Sequence, residues 1–290
     1  MSFALVLNSS NVIGSQNSQF KYNFLGGNFV AKDMEMCIGN LTIPYSFFNV
    51  STFYNNQTFS FTFPTGATTT TLSIFLTAGF YTVTDINQFC QNSMIAAGLY
   101  LKNASDEYVY YFDISYNVTY YAIQFVASIV PTALPSGFAF ATSGFYSTLG
   151  GLPTTSNQVP QLILPSNGPL AILGFTAATY PPTQLGAAYS ITSNALPPVG
   201  STINSLIFRC NLVKNVCTTP ADILDAANIN STFGSNITYA PNFEKWLPLS
   251  DGTFSNLIFT FVDQNLNSIS ANDPNVSITL LIRKIKSGSK

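Results

Sequence analysis

Phe59-Ser60-Phe61-Thr62-Phe63 is the stretch on which the fold of this chain turns. Successive side chains of a β-strand point to opposite faces, so three phenylalanines fall on one side and two hydroxyls on the other. The spacing predicts a strand over Thr58–Phe63 with its rings inward. A turn signal, Pro64-Thr65-Gly66, follows it, and then a second strand over Thr69–Leu76.

The same pattern spreads outward. Strands are expected at Phe3–Leu7, Gln19–Leu25 and Met36–Ile43, with Gly26-Gly27 as turn glycines. Beyond the starting stretch, Glu107–Asp113 and Tyr116–Ala127 read as a hairpin with aromatic faces. Asn204–Val213, Leu257–Val262 and Val276–Ile285 complete the set, with a turn at Asp263-Gln264-Asn265. The chain holds 25 Phe and 15 Tyr against one tryptophan, Trp246, and strand formers dominate it.

Two short helices are expected. Thr84 can cap the first and Asp85 suits its first turn. Ile86, Phe89, Cys90 and Met94 then recur at helical spacing to Ala97, and Gly98 ends it. Thr219 and Pro220 open the second, over Pro220–Ala227, where Asp222 and Asp225 would offset the helix dipole. Prolines from Pro131 to Pro198 repeatedly break the strand pattern between these regions. The expected organisation is an all-β domain formed by 1–130 and 201–290. Residues 131–200 would be a loop-rich insertion, either long loops or a small β subdomain. No internal repeat is visible.

Charge is the second strong signal. Only 8% of residues are charged, against about 25% in ordinary soluble domains. Residues 114–208 contain no Asp, Glu, Lys, Arg or His, and residues 36–84 form a second such stretch. Surface charge keeps proteins apart, so its loss suits a chain held permanently against copies of itself or fixed partners. A bias toward Asn, Ser and Thr in place of charge would leave the same gap. The net charge of −2 supplies no global field for nucleic acid or an acidic membrane.

Chemistry is excluded more firmly than it is suggested. The chain has no histidine, which removes Ser-His-Asp and Cys-His catalysis and most zinc sites. No Gly-rich phosphate loop appears, the few carboxylates sit near turns or caps, and no enzyme activity, metal or cofactor is expected. Cys37 and Cys90 read as small core residues, while Cys210 and Cys217 could face each other across a hairpin. The opening Met1–Asn8 lacks the basic residues and apolar length of a signal peptide, and no 18-residue apolar run exists. Nine Asn-x-Ser/Thr sites stand in the chain, but its abundance of Asn, Ser and Thr yields most of them by chance, so secretion and glycosylation are not expected.

Several phrases resemble the vertex (penton) and minor capsid proteins of virophages, polinton-like viruses and related large DNA viruses of eukaryotes. They are Ile43-Pro44-Tyr45-Ser46-Phe47-Phe48-Asn49, Gly79-Phe80-Tyr81-Thr82-Val83-Thr84-Asp85-Ile86-Asn87, Leu173-Gly174-Phe175 with Thr179-Tyr180-Pro181, Asn204 to Val213, Phe233-Gly234-Ser235-Asn236-Ile237, and Asp263-Gln264-Asn265 leading into Asp273-Pro274-Asn275. The resemblance spans most of the chain and contains no catalytic signature. It implies a jelly-roll β-sandwich and a non-enzymatic place in an icosahedral shell. It further implies a homopentamer at a fivefold vertex beside trimers of major capsid protein, in a virion made inside the host cell. The chain is short for two complete jelly rolls, and a trimeric use of the fold stays open. Two stacked sheets also suit a large antiparallel protein, because they limit exposed edges.

The remaining readings concern contacts. Arg283, Lys284, Lys286 and Lys290 are the candidates for contact with a genome or inner shell. Four charges fall short of the roughly six to ten phosphate contacts of independent nucleic-acid binding, so a solvated end is the leading reading. The alternative function is a minor or attachment protein, a lectin-like β-sandwich on the virion surface. In that reading Tyr110, Tyr111, Tyr120 and Tyr121 stack on sugars rather than filling a core or subunit seam.

Overall fold

The computed structural model describes residues 2–195 and 202–285. Contacts divide the chain into two compact units, Met1–Phe48 with Ile203–Lys290, and Asn49–Thr202. The first unit opens with β1 (Ser2–Leu7), β2 (Gln19–Asn23) and β3 (Met34–Pro44). The second contributes β4 (Thr58–Thr65), β5 (Thr68–Phe75), α1 (Val83–Ala97), β6 (Phe112–Asn117), β7 (Ala122–Ala127), β8 (Gln161–Leu164), α2 (Leu170–Leu173), β9 (Ala178–Tyr180) and β10 (Tyr189–Thr192). The first then resumes with β11 (Ser205–Cys210), β12 (Ile223–Asn228), β13 (Asn236–Tyr239), β14 (Asn256–Asp263) and β15 (Ser277–Lys284).

In the first unit the strands nest. β1 pairs antiparallel with β15, β2 with β14, β3 with β13 and β11 with β12. The pairs are shared alternately between two sheets, ordered β1-β15-β3-β13 and β12-β11-β14-β2. First with last, second with second-last, and so inward is the order of a jelly roll, in which a long antiparallel ribbon folds over into two sheets. Leu5, Leu7, Met36, Ile43, Ile278 and Ile282 are buried from one sheet, and Phe20, Leu206, Phe208, Phe259 and Phe261 from the other. The Phe208 ring on β11 meets Tyr239 on β13 at 5.8 Å, joining the two layers.

Strand β3 explains a break in the sequence pattern. Met34, Met36 and Ile38 are buried on even numbers, then Leu41 and Ile43 on odd ones. The phase changes where the register with β15 shifts, between Thr279 and Leu280. Asn40 faces Thr279 and Ile38 faces Leu280, so Gly39 is the extra residue of a β-bulge. A Cβ at Gly39 would lie 3.2 Å from the Leu281 side chain, so glycine suits the bulge.

The second unit is also all-β. One sheet runs β9-β8-β4-β5 and another β6-β7-β10. The starting phenylalanines are indeed buried, and their rings carry the core across the layers: Phe63 to Phe61 at 5.5 Å, Phe61 to Phe112 at 4.9 Å and Phe112 to Phe125 at 5.1 Å. The hydroxyls are less exposed than alternation predicts. Thr62 is buried because β8 covers it, and its hydroxyl donates to Gln161 Oε1 at 3.3 Å. Helix α1 docks on β6 through Asn87, which donates to Asp113 at 2.8 Å and accepts the Ile114 N–H at 3.0 Å.

Four expectations are corrected. The cap of α1 is Thr82, not Thr84. Thr82 Oγ1 accepts the Asp85 N–H, and the Asp85 carboxylate accepts the Thr82 N–H, a capping box set two residues before the expected cap. Pro220–Ala227 is not helical, because Ile223–Asn228 pairs with β11 and tertiary pairing overrides the cap signal. The aromatic hairpin is Phe112–Asn117 with Ala122–Ala127, and Tyr108–Val109 is a separate short strand. The insertion between the third and fourth jelly-roll strands spans 49–202, not 131–200. Residues 49–130 alternate as the jelly-roll strands do, but β4 pairs with β8 and β7 with β10, both from the proline-rich region.

Phe61→Ala is expected to destabilise the protein by about 3–5 kcal/mol, the cost of a large cavity at a fully buried ring, read by chemical denaturation.

Candidate assembly surfaces

The longest charge-free stretch presents an apolar tip. The β6–β7 register closes at Asn117↔Ala122, leaving Val118-Thr119-Tyr120-Tyr121 as the loop. Val118 is 79% exposed, Tyr120 68% and Tyr121 49%. Local bonds order this tip. Asn117 Oδ1 accepts the Tyr120 N–H at 3.3 Å, Asn117 Nδ2 donates to Gln124 Oε1 at 2.8 Å, and Tyr121 stacks edge-on against Tyr116 at 6.1 Å. Tyr121 holds a left-handed backbone at φ 49°, a conformation uncommon for an aromatic residue. An ordered, uncharged aromatic tip loses little entropy on docking and has no ions to desolvate. Phe145 and Leu149, further along the same stretch, are also exposed.

The four tyrosines proposed for sugar stacking do not form one platform. Tyr111 is buried, which pushes its hydroxyl up to about 12. Tyr110 is half-buried and stacks on Tyr108 at 6.2 Å. Both precede β6, while Tyr120 and Tyr121 follow it, and a six-residue strand spans about 20 Å.

Unit 49–202 is nearly empty of charge. Its charged residues are Asp85, Lys102, Asp106, Glu107 and Asp113, five of the chain's 10 basic plus 12 acidic. The jelly-roll unit carries the rest, and much of it is paired. Arg209 holds Asp222 through two nitrogens at 2.8–3.1 Å. Asp225 accepts from Tyr239 Oη at 2.6 Å and from Lys245 Nζ at 2.8 Å. Asp222 and Asp225 are therefore strand-edge ion-pair partners, not helix-dipole carboxylates. The hydrogen bond to Asp225 raises the Lys245 pKa, while burial, then the Asp225 bond, raises that of Tyr239.

The basic end divides. Arg283 lies opposite Glu35 in the β15–β3 register, and its Nε donates to Glu35 Oε1 at 2.6 Å. Its guanidinium carbon sits 3.7 Å above the centre of the Trp246 ring. The Trp246 Nε1–H donates to Glu244 Oε2 at 2.9 Å, and that carboxylate is 4.0 Å from Arg283. Arg283 thus spends its charge within the fold. Lys284 is exposed, and Lys286 and Lys290 lie outside the described residues. Sequence reasoning missed Glu35, Glu244 and Trp246 as partners; the one available signal was the chain's single tryptophan.

The thiols are free. Cys37, Cys90 and Cys210 are buried and Cys217 is exposed, so Cys210 and Cys217 form no bridge. Burial pushes the Cys210 thiol up to about 12 and that of Cys37 up to about 11. Among the described residues no three Cys, Asp or Glu side chains converge as a metal site, and no helix is long and apolar enough to cross a membrane.

No protein-family model matches this chain, and no curated protein matches it. Among solved structures it is similar to the mavirus penton protein, with a TM-score of 0.40 and 8% identity over 98% of this chain and 100% of that one. It is also similar to a chain of the Sputnik virophage, with a TM-score of 0.38 and 11% identity over 98% of each.

Two measurements check this geometry. One thiol, Cys217, is expected to react with a thiol reagent in the native protein and all four after denaturation. Arg283→Ala is expected to shift the Trp246 emission and to lower stability by about 1–2 kcal/mol, since it removes a cation–π contact and leaves Glu35 unpaired.

Proposed function

We propose that this chain is a structural protein of an icosahedral virion, acting as a homopentamer at the fivefold vertex beside trimers of major capsid protein. The observation that carries the reading is the charge-free insertion with its ordered apolar tip at Val118, Tyr120 and Tyr121. Interface cores are depleted of charge and enriched in aromatic residues. A freely soluble protein gains nothing from such a surface and loses the protection that charge gives against association. The jelly-roll strand order and the penton-like phrases quoted above favour the same role, which involves no catalysis.

Within this reading the cationic end is Lys284 with Lys286 and Lys290, without Arg283. Each copy would contribute weakly to contact with a genome or an acidic inner-shell partner, and symmetry would multiply the effect. The attachment-protein alternative loses its tyrosine platform and keeps only the hairpin tip.

Val118→Asp with Tyr120→Asp is expected to leave a folded monomer, by circular dichroism and melting, that no longer enters particles. Normal incorporation of this variant would reduce the charge gap to a bias of composition. Truncation after Ile285, which spares the Arg283–Glu35 pair, is expected to lower genome content per particle at low salt more than at high salt.

A further inference from the structure

Strand β5 is the outer strand of its sheet, with β4 on one side and no strand on the other among the described residues. Its register with β4 is unbroken from Thr58↔Phe75 to Thr65↔Thr68, so no bulge bends it away. The eight residues Thr68-Thr69-Thr70-Thr71-Leu72-Ser73-Ile74-Phe75 contain no charge and no proline. Proteins normally protect an edge with charge, proline, a bulge or a cover. This edge has none of the first three.

The hydrogen-bond phase gives the direction of each backbone group. The Leu76 N–H donates to Gln57 O at 2.8 Å, so that opposed pair is hydrogen-bonded. Alternation in an antiparallel ladder then turns the N–H and C=O of Thr69, Thr71, Ser73 and Phe75 away from β4. These same four side chains are exposed, and no backbone bond to their outer groups is found among the described residues. The edge is therefore a row of unmet donors and acceptors, long enough for a second strand.

We propose that the occupant is β5 of a second copy of this chain, paired antiparallel about a twofold axis at Leu72. That register alone lets all four outward residues meet their like: Thr69 opposes Phe75 of the second copy, and Thr71 opposes its Ser73. On the exposed face this sets hydroxyl against hydroxyl and a threonine against a phenyl ring, both favourable cross-strand pairs. On the other face Leu72 meets Leu72. No like charges meet anywhere along the seam, the usual obstacle to an edge pairing with itself. About eight backbone hydrogen bonds form, two for each pair that exchanges them. One strand seam is smaller than a standard interface of about 1,600 Å², so pairing depends on concentration unless an array reinforces it. The contact is twofold and requires no fivefold ring, so its failure leaves the vertex reading untouched.

Disulfide trapping tests the register, in a Cys217→Ser background that removes the exposed native thiol. Opposed residues of a non-hydrogen-bonded pair lie about 4.5 Å apart at Cα, within disulfide reach, as Leu72 would with its copy. Leu72→Cys is expected to yield a covalent dimer on mild oxidation. Ser73→Cys, whose Cα lies more than about 7 Å from that of its own copy, is expected to yield little. Sedimentation across roughly 1–300 μM supplies the second arm, independent of whether Leu72→Cys folds well. The unmodified chain should show a reversible dimer, and Thr71→Lys should weaken it at least tenfold with an unchanged melt. A wild type that stays monomeric throughout, a dimer insensitive to Thr71→Lys, or equal trapping at 72 and 73 would overturn the proposal.

Discussion

Strand β15 must lie between β1 and β3, nearly the whole chain away from both, and the jelly-roll unit depends on that placement. Ser2 pairs with Arg283, and Glu35 pairs with Arg283 from the other side. The β1-β15-β3-β13 sheet is incomplete until the last strand arrives, so the contacts that stabilise it are non-local and their loop-closure entropy comes first. The same placement sets Arg283 on Trp246 and spends on the fold a cation that the sequence offers as a binding residue. The bulge at Gly39 lets one long strand, β3, keep its apolar side chains inward along its full length beside β15.

The two units manage polarity differently. In the jelly roll, charges meet charges across strand edges, as in Arg209–Asp222, Lys245–Asp225 and Arg283–Glu35. In the insertion, neutral amides and hydroxyls do this work. Gln161 donates to Pro181 O at 2.7 Å and accepts from Thr62 and Gln184, while Gln57 donates to Leu76 O at 2.9 Å. Neutral networks satisfy buried groups without an ion's desolvation cost. They also leave the surface without long-range repulsion, which suits the assembly role proposed for it.

What was legible in the sequence follows from what is local. Phe59, Phe61 and Phe63 face a core because alternation alone decides it, and α1 is present because Ile86, Cys90 and Met94 fall on one face. Pairing partners were not legible, since nothing in residues 58–75 distinguishes a jelly-roll strand from a strand of the insertion. Pro220 and Thr219 carry a valid helix-start signal that β11 overrides by recruiting Ile223–Asn228. The hairpin tip was visible as aromatic sequence, but the exposure of Tyr120 and the burial of Tyr111 are tertiary outcomes. Glu35 and Trp246 became partners of Arg283 through register, which depends on a bulge that glycine only hints at.

Electron cryomicroscopy of intact particles, with the fivefold vertices resolved well enough to trace strands, tests the vertex role most directly. Five copies around each fivefold axis, each with the nested strand order β1-β15-β3-β13 and β12-β11-β14-β2 and with Val118, Tyr120 and Tyr121 in a protein contact, are expected. Vertices built from another chain, or this chain standing free of the shell with its hairpin tip in solvent, would contradict it.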